Sequence, residues 1–294
     1  MVIIFSEALV STGLGHLGRC TALAEQLLEQ GKQVLLVVHA DESFPHWDFP
    51  CEILKTEWIV ETKLNNFLLN LSDPKLIFYV DSYLAPLDIY YILKTHCSEL
   101  ICIDDDKRLD YPEGSTILNP GYPGLFLGYD REKFKIITGK EQVLLRKPFR
   151  KIQRKNEINI PPKKILITLG GSDPNNLSVK ILQNLATLFP DMEKHLVVGP
   201  GFTNGNELQK IADQGTFFYK DLNAEKMCKL MLSVDFAITA GGQTMYELDV
   251  CRVPMMVIET AENQRNNIRG FVEFQGVQEI KKNQLERIGE FLCI

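Results

Sequence analysis

Val2-Ile3-Ile4-Phe5-Ser6-Glu7, followed by Ser11-Thr12-Gly13-Leu14-Gly15-His16-Leu17-Gly18-Arg19, sets the architecture of the first half of the chain. A short apolar run rich in β-branched residues reads as a buried strand over 2–5, and the glycines after it as a tight loop. Over 17–30, Leu17, Leu23, Ala24, Leu27 and Leu28 share one helical face, and Gly31 stands where a C-terminal cap glycine belongs. A strand, a glycine-rich loop and a helix form the opening of a βα unit in a parallel sheet.

The same signal recurs along the chain. Residues 34–38, 76–80 and 100–103 read as strands, and the last two run directly into acids, Asp81 and Asp104-Asp105-Asp106. Carboxyl ends of parallel strands are where α/β folds place their sites. Residues 146–164 hold eight basic residues against Glu157, together with Pro148, Pro161 and Pro162, and read as a solvated linker. Beyond it the pattern restarts, with strands over 165–169, 196–198, 236–239 and 255–258. The expected organisation is a domain over 1–145, a linker over 146–164 and a domain over 165–294, each α/β and Rossmann-like, facing one another across a cleft with His16 opposite 241–247.

Composition bounds the function. The 294 residues are 45% hydrophobic and 24% charged, ordinary for globular chains. Lys+Arg number 32 and Asp+Glu 38, a net charge of −6 that argues against nucleic acid as a partner. The N-terminal apolar run has no basic flank and reads as a strand rather than a secretory signal. No apolar run approaches the roughly 20 residues of a membrane span. Seven scattered cysteines without a CxxC pair argue against a disulfide framework or structural zinc and fit a cytoplasmic setting.

Gly13, Gly15 and Gly18 match the spacing of a dinucleotide fingerprint. The second strand, however, ends in Val38-His39-Ala40, with Asp41 and Glu42 two or three residues late for a ribose, so NAD is the lesser reading. His16 falls in the first turn of the helix, where amide dipoles lower an imidazole's pKa and keep it neutral. It reads either as a base facing a cleft or as a loop-packing histidine. In the second half, Gly170-Gly171-Ser172-Asp173 and Gly241-Gly242-Gln243-Thr244 each follow a strand and open a helix, a geometry suited to a diphosphate or to an ordinary turn capped by Ser172 or Asp173. Glu247 follows as an acceptor for a ribose diol, and the amides of Asn263 and Gln264 suit sugar hydroxyls and acetamido groups.

In their order, Gly13-x-Gly15-His16-x-x-Arg19-Cys20, Gly170 to Asp173, Glu247 and Asn263-Gln264 resemble the PseG family of UDP-sugar hydrolases in pseudaminic acid biosynthesis, related to MurG-type glycosyltransferases with the GT-B fold. Asp81-Ser82-Tyr83, Asp104-Asp105, Asn119 and the stretch from Gly139 to Phe149 extend the likeness over nearly the whole chain. The resemblance implies UDP held by the C-terminal domain and a diacetamido-trideoxyhexose near His16. It further implies an inverting hydrolysis at the anomeric carbon with His16 as base, needing neither metal nor cofactor. Where the family has Arg and Asp after the first strand, this chain has Phe5-Ser6-Glu7, and its Gly241 to Thr244 turn is closer to the MurG type. A GT-B glycosyltransferase using a UDP-sugar donor is the alternative.

Overall fold

The computed structural model describes residues 1–292 apart from 43, 46, 47, 72, 74, 153, 155 and 156. His46 and Trp47, Lys155 of the basic stretch, and Cys293 therefore lie outside the described residues. The chain divides into two compact units, Met1–Lys147 and Pro148–Ile294.

In the first unit, β1 (Val2–Ala8), β2 (Val34–Ala40), β3 (Glu52–Lys55), β4 (Ile77–Val80), β5 (Glu99–Ile103), β6 (Thr116–Asn119) and β7 (Lys135–Thr138) form one sheet. Its order is β3-β2-β1-β4-β5-β6-β7, and every pairing is parallel. Helices α1 (Gly15–Glu29), α2 (Glu61–Leu68) and α3 (Leu87–Thr95) link the strands. One face of the sheet packs Leu17, Cys20, Leu23, Ala24 and Leu27 of α1 against Val2, Ile4, Leu36 and Val38. The other packs Ile3, Phe5, Val37 and Phe78 against Trp58 and residues of α2 and α3. Both faces being covered explains why the central strands read as continuous apolar runs. Gly31, at φ +75°, ends α1 in the left-handed conformation that glycine adopts without a side-chain penalty.

β1 runs three residues beyond the apolar stretch. Ser6 and Glu7 are polar yet fully buried; the Ser6 carbonyl accepts the Trp58 indole N–H at 2.8 Å, and the Glu7 carboxylate accepts from the chain after β4. Polarity therefore does not end this strand; tertiary partners carry it on.

The second unit holds β8 (Lys164–Thr168), β9 (Glu193–Val197), β10 (Thr216–Tyr219), β11 (Phe236–Ala240), β12 (Met255–Ile258) and β13 (Gln278–Glu279), in the order β10-β9-β8-β11-β12-β13. All of its pairings are parallel as well. Around the sheet lie α4 (Leu177–Leu188), α5 (Gly205–Ile211), α6 (Ala224–Ser233), α7 (Thr244–Val250), α8 (Arg265–Gln275) and α9 (Ile288–Leu292). Part of the basic stretch is tied to this unit. The Arg154 guanidinium donates to the carbonyls of Val234 and Cys251, and Asp235 accepts from Asn159 and from the amides of Lys163 and Lys164.

In each sheet the strand order reverses at one place, between β1 and β4 and between β8 and β11. Loops leaving the carboxyl ends of strands at such a switch point diverge and leave room for a ligand. The loop after β1 carries Gly13 to His16, and the chain after β4 carries Asp81 to Tyr83. Those after β8 and β11 carry the two glycine turns.

Candidate active site

α1 presents His16, Arg19 and Cys20 on one face, because positions three and four apart stack along a helix. All three converge on Asp81, brought beside β1 by the pairing of β1 with β4. The His16 Nδ1–H donates to Asp81 Oδ1 at 2.7 Å, Arg19 donates through Nε and Nη2 at 2.6 Å each, and the Cys20 thiol donates at 3.4 Å. Arg19 also donates through Nη1 to Asp105 at 2.6 Å. Its guanidinium thus joins two carboxylates, Asp81 and Asp105.

A carboxylate only accepts, so the proton on the Asp81 side of the imidazole sits on Nδ1 and leaves Nε2 as the basic nitrogen. Nε2 stands 3.8 Å from Glu7 Oε1. The Tyr83 ring packs edge-on to the imidazole with centroids 4.3 Å apart, and its hydroxyl donates to Asp105 at 3.3 Å. Glu7 accepts from the Ser82 hydroxyl and, at 3.1 Å, from the Tyr83 amide.

Burial pulls the His16 pKa down and the Arg19 charge opposes a proton, yet the Asp81 carboxylate, helped by Glu7, outweighs both, and the pKa lies above its usual 6.5. This corrects the expectation that the helix dipole keeps His16 neutral: a carboxylate in contact outweighs partial charges at a helix end. Burial raises the Asp81 carboxyl, but the charges of Arg19 and then His16 prevail and hold it well below the usual carboxylate range.

The neighbouring Asp104 behaves in the opposite way. Burial pushes it up to about 6, against hydrogen bonds from the Arg108 and Asp106 amides and the Tyr129 hydroxyl. Asn119 braces the same corner, donating to the Asp104 carbonyl at 2.6 Å and accepting from the Gly124 amide at 2.9 Å.

Gly13 and Gly15 are exposed, and neither has a neighbour where a Cβ would stand. Gly13 turns the loop at φ +71° and donates its amide to the Leu9 carbonyl at 2.8 Å. Among the described residues, no group of three or more His, Cys, Asp or Glu side chains is arranged to hold a metal ion.

In the second unit the two glycine turns differ. Gly170, Gly171 and Ser172 are exposed, but the anion position at the start of α4 is filled from within. The buried Asp173 carboxylate accepts from the amides of Leu177 and Ser178 at 2.9 and 2.8 Å, from the Ser178 hydroxyl at 2.5 Å and from Asn204 at 3.3 Å. At the other turn Gly241 is buried under α8, while Gly242, Gln243 and Thr244 keep partial exposure. Gln264 accepts from the Gly241 and Thr260 amides at 3.2 and 3.0 Å, and Asn267 donates to the Gly241 carbonyl at 2.9 Å. The Gln264 amide thus braces the turn, together with Asn267 from the same amide-rich stretch. Asn263 is exposed, and Glu247 lies buried in α7 at 3% exposure.

No protein-family model matches the chain. It is 26% identical over 295 residues to a Helicobacter pylori protein described as pseudaminic acid cytidylyltransferase and UDP-2,4-diacetamido-2,4,6-trideoxy-beta-L-altropyranose hydrolase, covering 98% of this chain and 49% of that one. The chain resembles the PseG-type UDP-sugar hydrolases. It thus spans about half the length of that relative. It is also 25% identical over 277 residues to the spore coat polysaccharide biosynthesis protein SpsG of Bacillus subtilis, covering 92% of this chain and 80% of that protein. Among solved structures, MurG of Acinetobacter baumannii superposes with a TM-score of 0.63 at 14% identity, over 99% of this chain and 88% of that one. The fold is that of the GT-B glycosyltransferases, built from two α/β units.

Proposed function

We propose that the chain hydrolyses a UDP-linked diacetamido-trideoxyhexose to free sugar and UDP, as a step in making a pseudaminic-like acid. The observation that carries the reading is the His16–Asp81 pair: a buried carboxylate on Nδ1 leaves Nε2 as a base whose conjugate acid is stabilised where it forms. Nε2 takes a proton from water as the water oxygen bonds to the anomeric carbon. The bond from that carbon to the phosphate oxygen breaks, UDP leaves with the electron pair, and the configuration inverts. No metal enters these steps.

UDP belongs to the second unit in this reading, its diphosphate at Gly241, Gly242, Gln243 and Thr244. The Gly170 to Ser172 turn is the poorer choice, because Asp173 already fills the anion position behind it. Relatedness supports the substrate class: the Helicobacter relative is described as a hydrolase of a UDP-diacetamido sugar. The six described cysteines are free thiols, which supports a cytoplasmic setting.

The test is acceptor-free release of UDP from UDP-diacetamido sugars, followed with excess chelator in ¹⁸O water. Turnover is expected to persist and to label the sugar. His16→Asn is expected to lower kcat by roughly 10²–10⁴-fold while UDP affinity by calorimetry stays near that of the parent. Label in UDP would move attack to phosphorus, and sugar transfer only upon addition of an acceptor would make the chain a glycosyltransferase.

A further inference from the structure

Glu7 is fully buried and lies one strand away from the residue that pairs with His16. Both of its oxygens are engaged. One accepts the Ser82 hydroxyl, and the other accepts the Tyr83 amide and faces His16 Nε2 at 3.8 Å. Ser82 in turn accepts the Leu84 and Ala85 amides at 3.0 Å each through the oxygen whose proton it gives to Glu7. A chain of hydrogen bonds therefore runs from the turn after β4 through Ser82 into the Glu7 carboxylate. The same turn carries Asp81, which grips the other imidazole nitrogen, and Tyr83, which packs on the ring.

Among the described residues, the charged and titratable groups facing this imidazole come from three places. Asp81 and Tyr83 come from the chain after β4, and Glu7 comes from β1. Arg19 and Cys20 come from α1, and Asp105, which follows β5, acts through Arg19. Two carboxylates, Asp81 and Asp105, share the guanidinium, and Asp81 and Glu7 flank the imidazole, where a proton on His16 meets opposite charge on both sides. His16 keeps 4% exposure while Glu7 has none.

We propose that Glu7 is a positioning residue for His16: clamped by Ser82 and Tyr83, its carboxylate fixes the turn that holds the ring and favours proton uptake at Nε2. A fully buried acid beside the imidazole acts through that neighbour. Removing its charge and keeping its shape, as in Glu7→Gln, makes Nε2 less basic.

The inference deepens the hydrolase reading and rests on it for the kinetic measurement alone. The first measurement is NMR titration of the histidine ring resonances in the ligand-free full chain, with His16 assigned by its loss in His16→Asn. In Glu7→Gln the His16 pKa is expected to fall by about 1, the low end for loss of an opposite charge at this distance. In Glu7→Asp, which keeps the charge and draws it back by one methylene, an intermediate value is expected, and this variant serves if the glutamine form does not fold. The acid limb of the UDP-release profile is expected to move to lower pH by the same amount, with KM nearly unchanged. An unshifted His16 titration in a folded Glu7 variant overturns the proposal. A parent chain that shows the titration yet releases no UDP overturns the hydrolase reading instead.

Discussion

Replacing Asp104 by Asn isolates the cost of a buried carboxylate. A carboxyl whose pKa is higher in the fold than in the unfolded chain holds its proton more tightly when folded. The stability it lends is complete below the unfolded value and is lost as pH rises through the folded one. For Asp104 the window runs from 3.8 to about 6. That difference corresponds to at most about 3 kcal/mol of stability lost by the time the pH passes 7. Asparagine keeps an oxygen for the Asp106 and Arg108 amides, 3.3 and 3.2 Å away, and offers its NH₂ to the Tyr129 oxygen at 3.1 Å. It carries no charge to desolvate. The assay is urea unfolding of the parent and Asp104→Asn at intervals from pH 4 to pH 8, read as the difference between the two proteins. Titrations that both share, such as those of Asp81 and His16, cancel in that difference. Stability of the variant relative to the parent is expected to rise by about 1–3 kcal/mol between pH 4 and pH 7. A difference that is flat, or that falls with pH, would refute the argument that burial governs this carboxyl.

Asp173→Ala removes the acceptor at the start of α4 and leaves the Ser178 hydroxyl and the Asn204 amide without it. Thermal unfolding of the second unit is expected to report a loss of about 1–3 kcal/mol. Gly241→Ala places a Cβ 2.6 Å from Ile268 Cγ1 and 2.9 Å from Gln264 Cβ, so α8 must shift. Calorimetry is expected to show weaker UDP binding and unfolding a cost of about 1–3 kcal/mol, and an unchanged dissociation constant would place the nucleotide elsewhere.

The central strands were legible because burial on both faces writes them as apolar runs; β1, β4, β5, β8, β11 and β12 all follow from that signal. β3, β6, β7, β10 and β13 did not, since polar residues at their ends leave apolar runs of at most three residues, against the unbroken four of β4 and β12. In the site, the glycine loop pointed to His16, and the acids ending β4 and β5 were visible as acids. Their meeting on Arg19 was not. Asp81 lies 62 residues from Arg19 and reaches it because β4 pairs with β1. The direction of the His16 pKa failed for the same reason, since a local dipole can be read from a sequence and a partner 65 residues away cannot. Asp173 was legible as a cap, whereas its filling of the position assigned to a phosphate emerged only from the hydrogen bonds that it accepts.

Each of the two all-parallel sheets ends in open strands, and an open strand is a template on which another chain can grow. β3, β7 and β10 are four residues long and β13 two, so any intruding strand gains few ladder bonds. Glu52 and Lys55 on β3, Lys135 on β7 and Glu279 on β13 make those edges poor templates besides. β10, reading Thr216-Phe217-Phe218-Tyr219, carries no charge and leaves Phe217 44% exposed. Lys220 and Asp221, immediately after it, act as gatekeepers of that aromatic run. Of the four edges this is the one that offers an uncharged aromatic template, and Phe217→Lys is the change expected to blunt any self-association there.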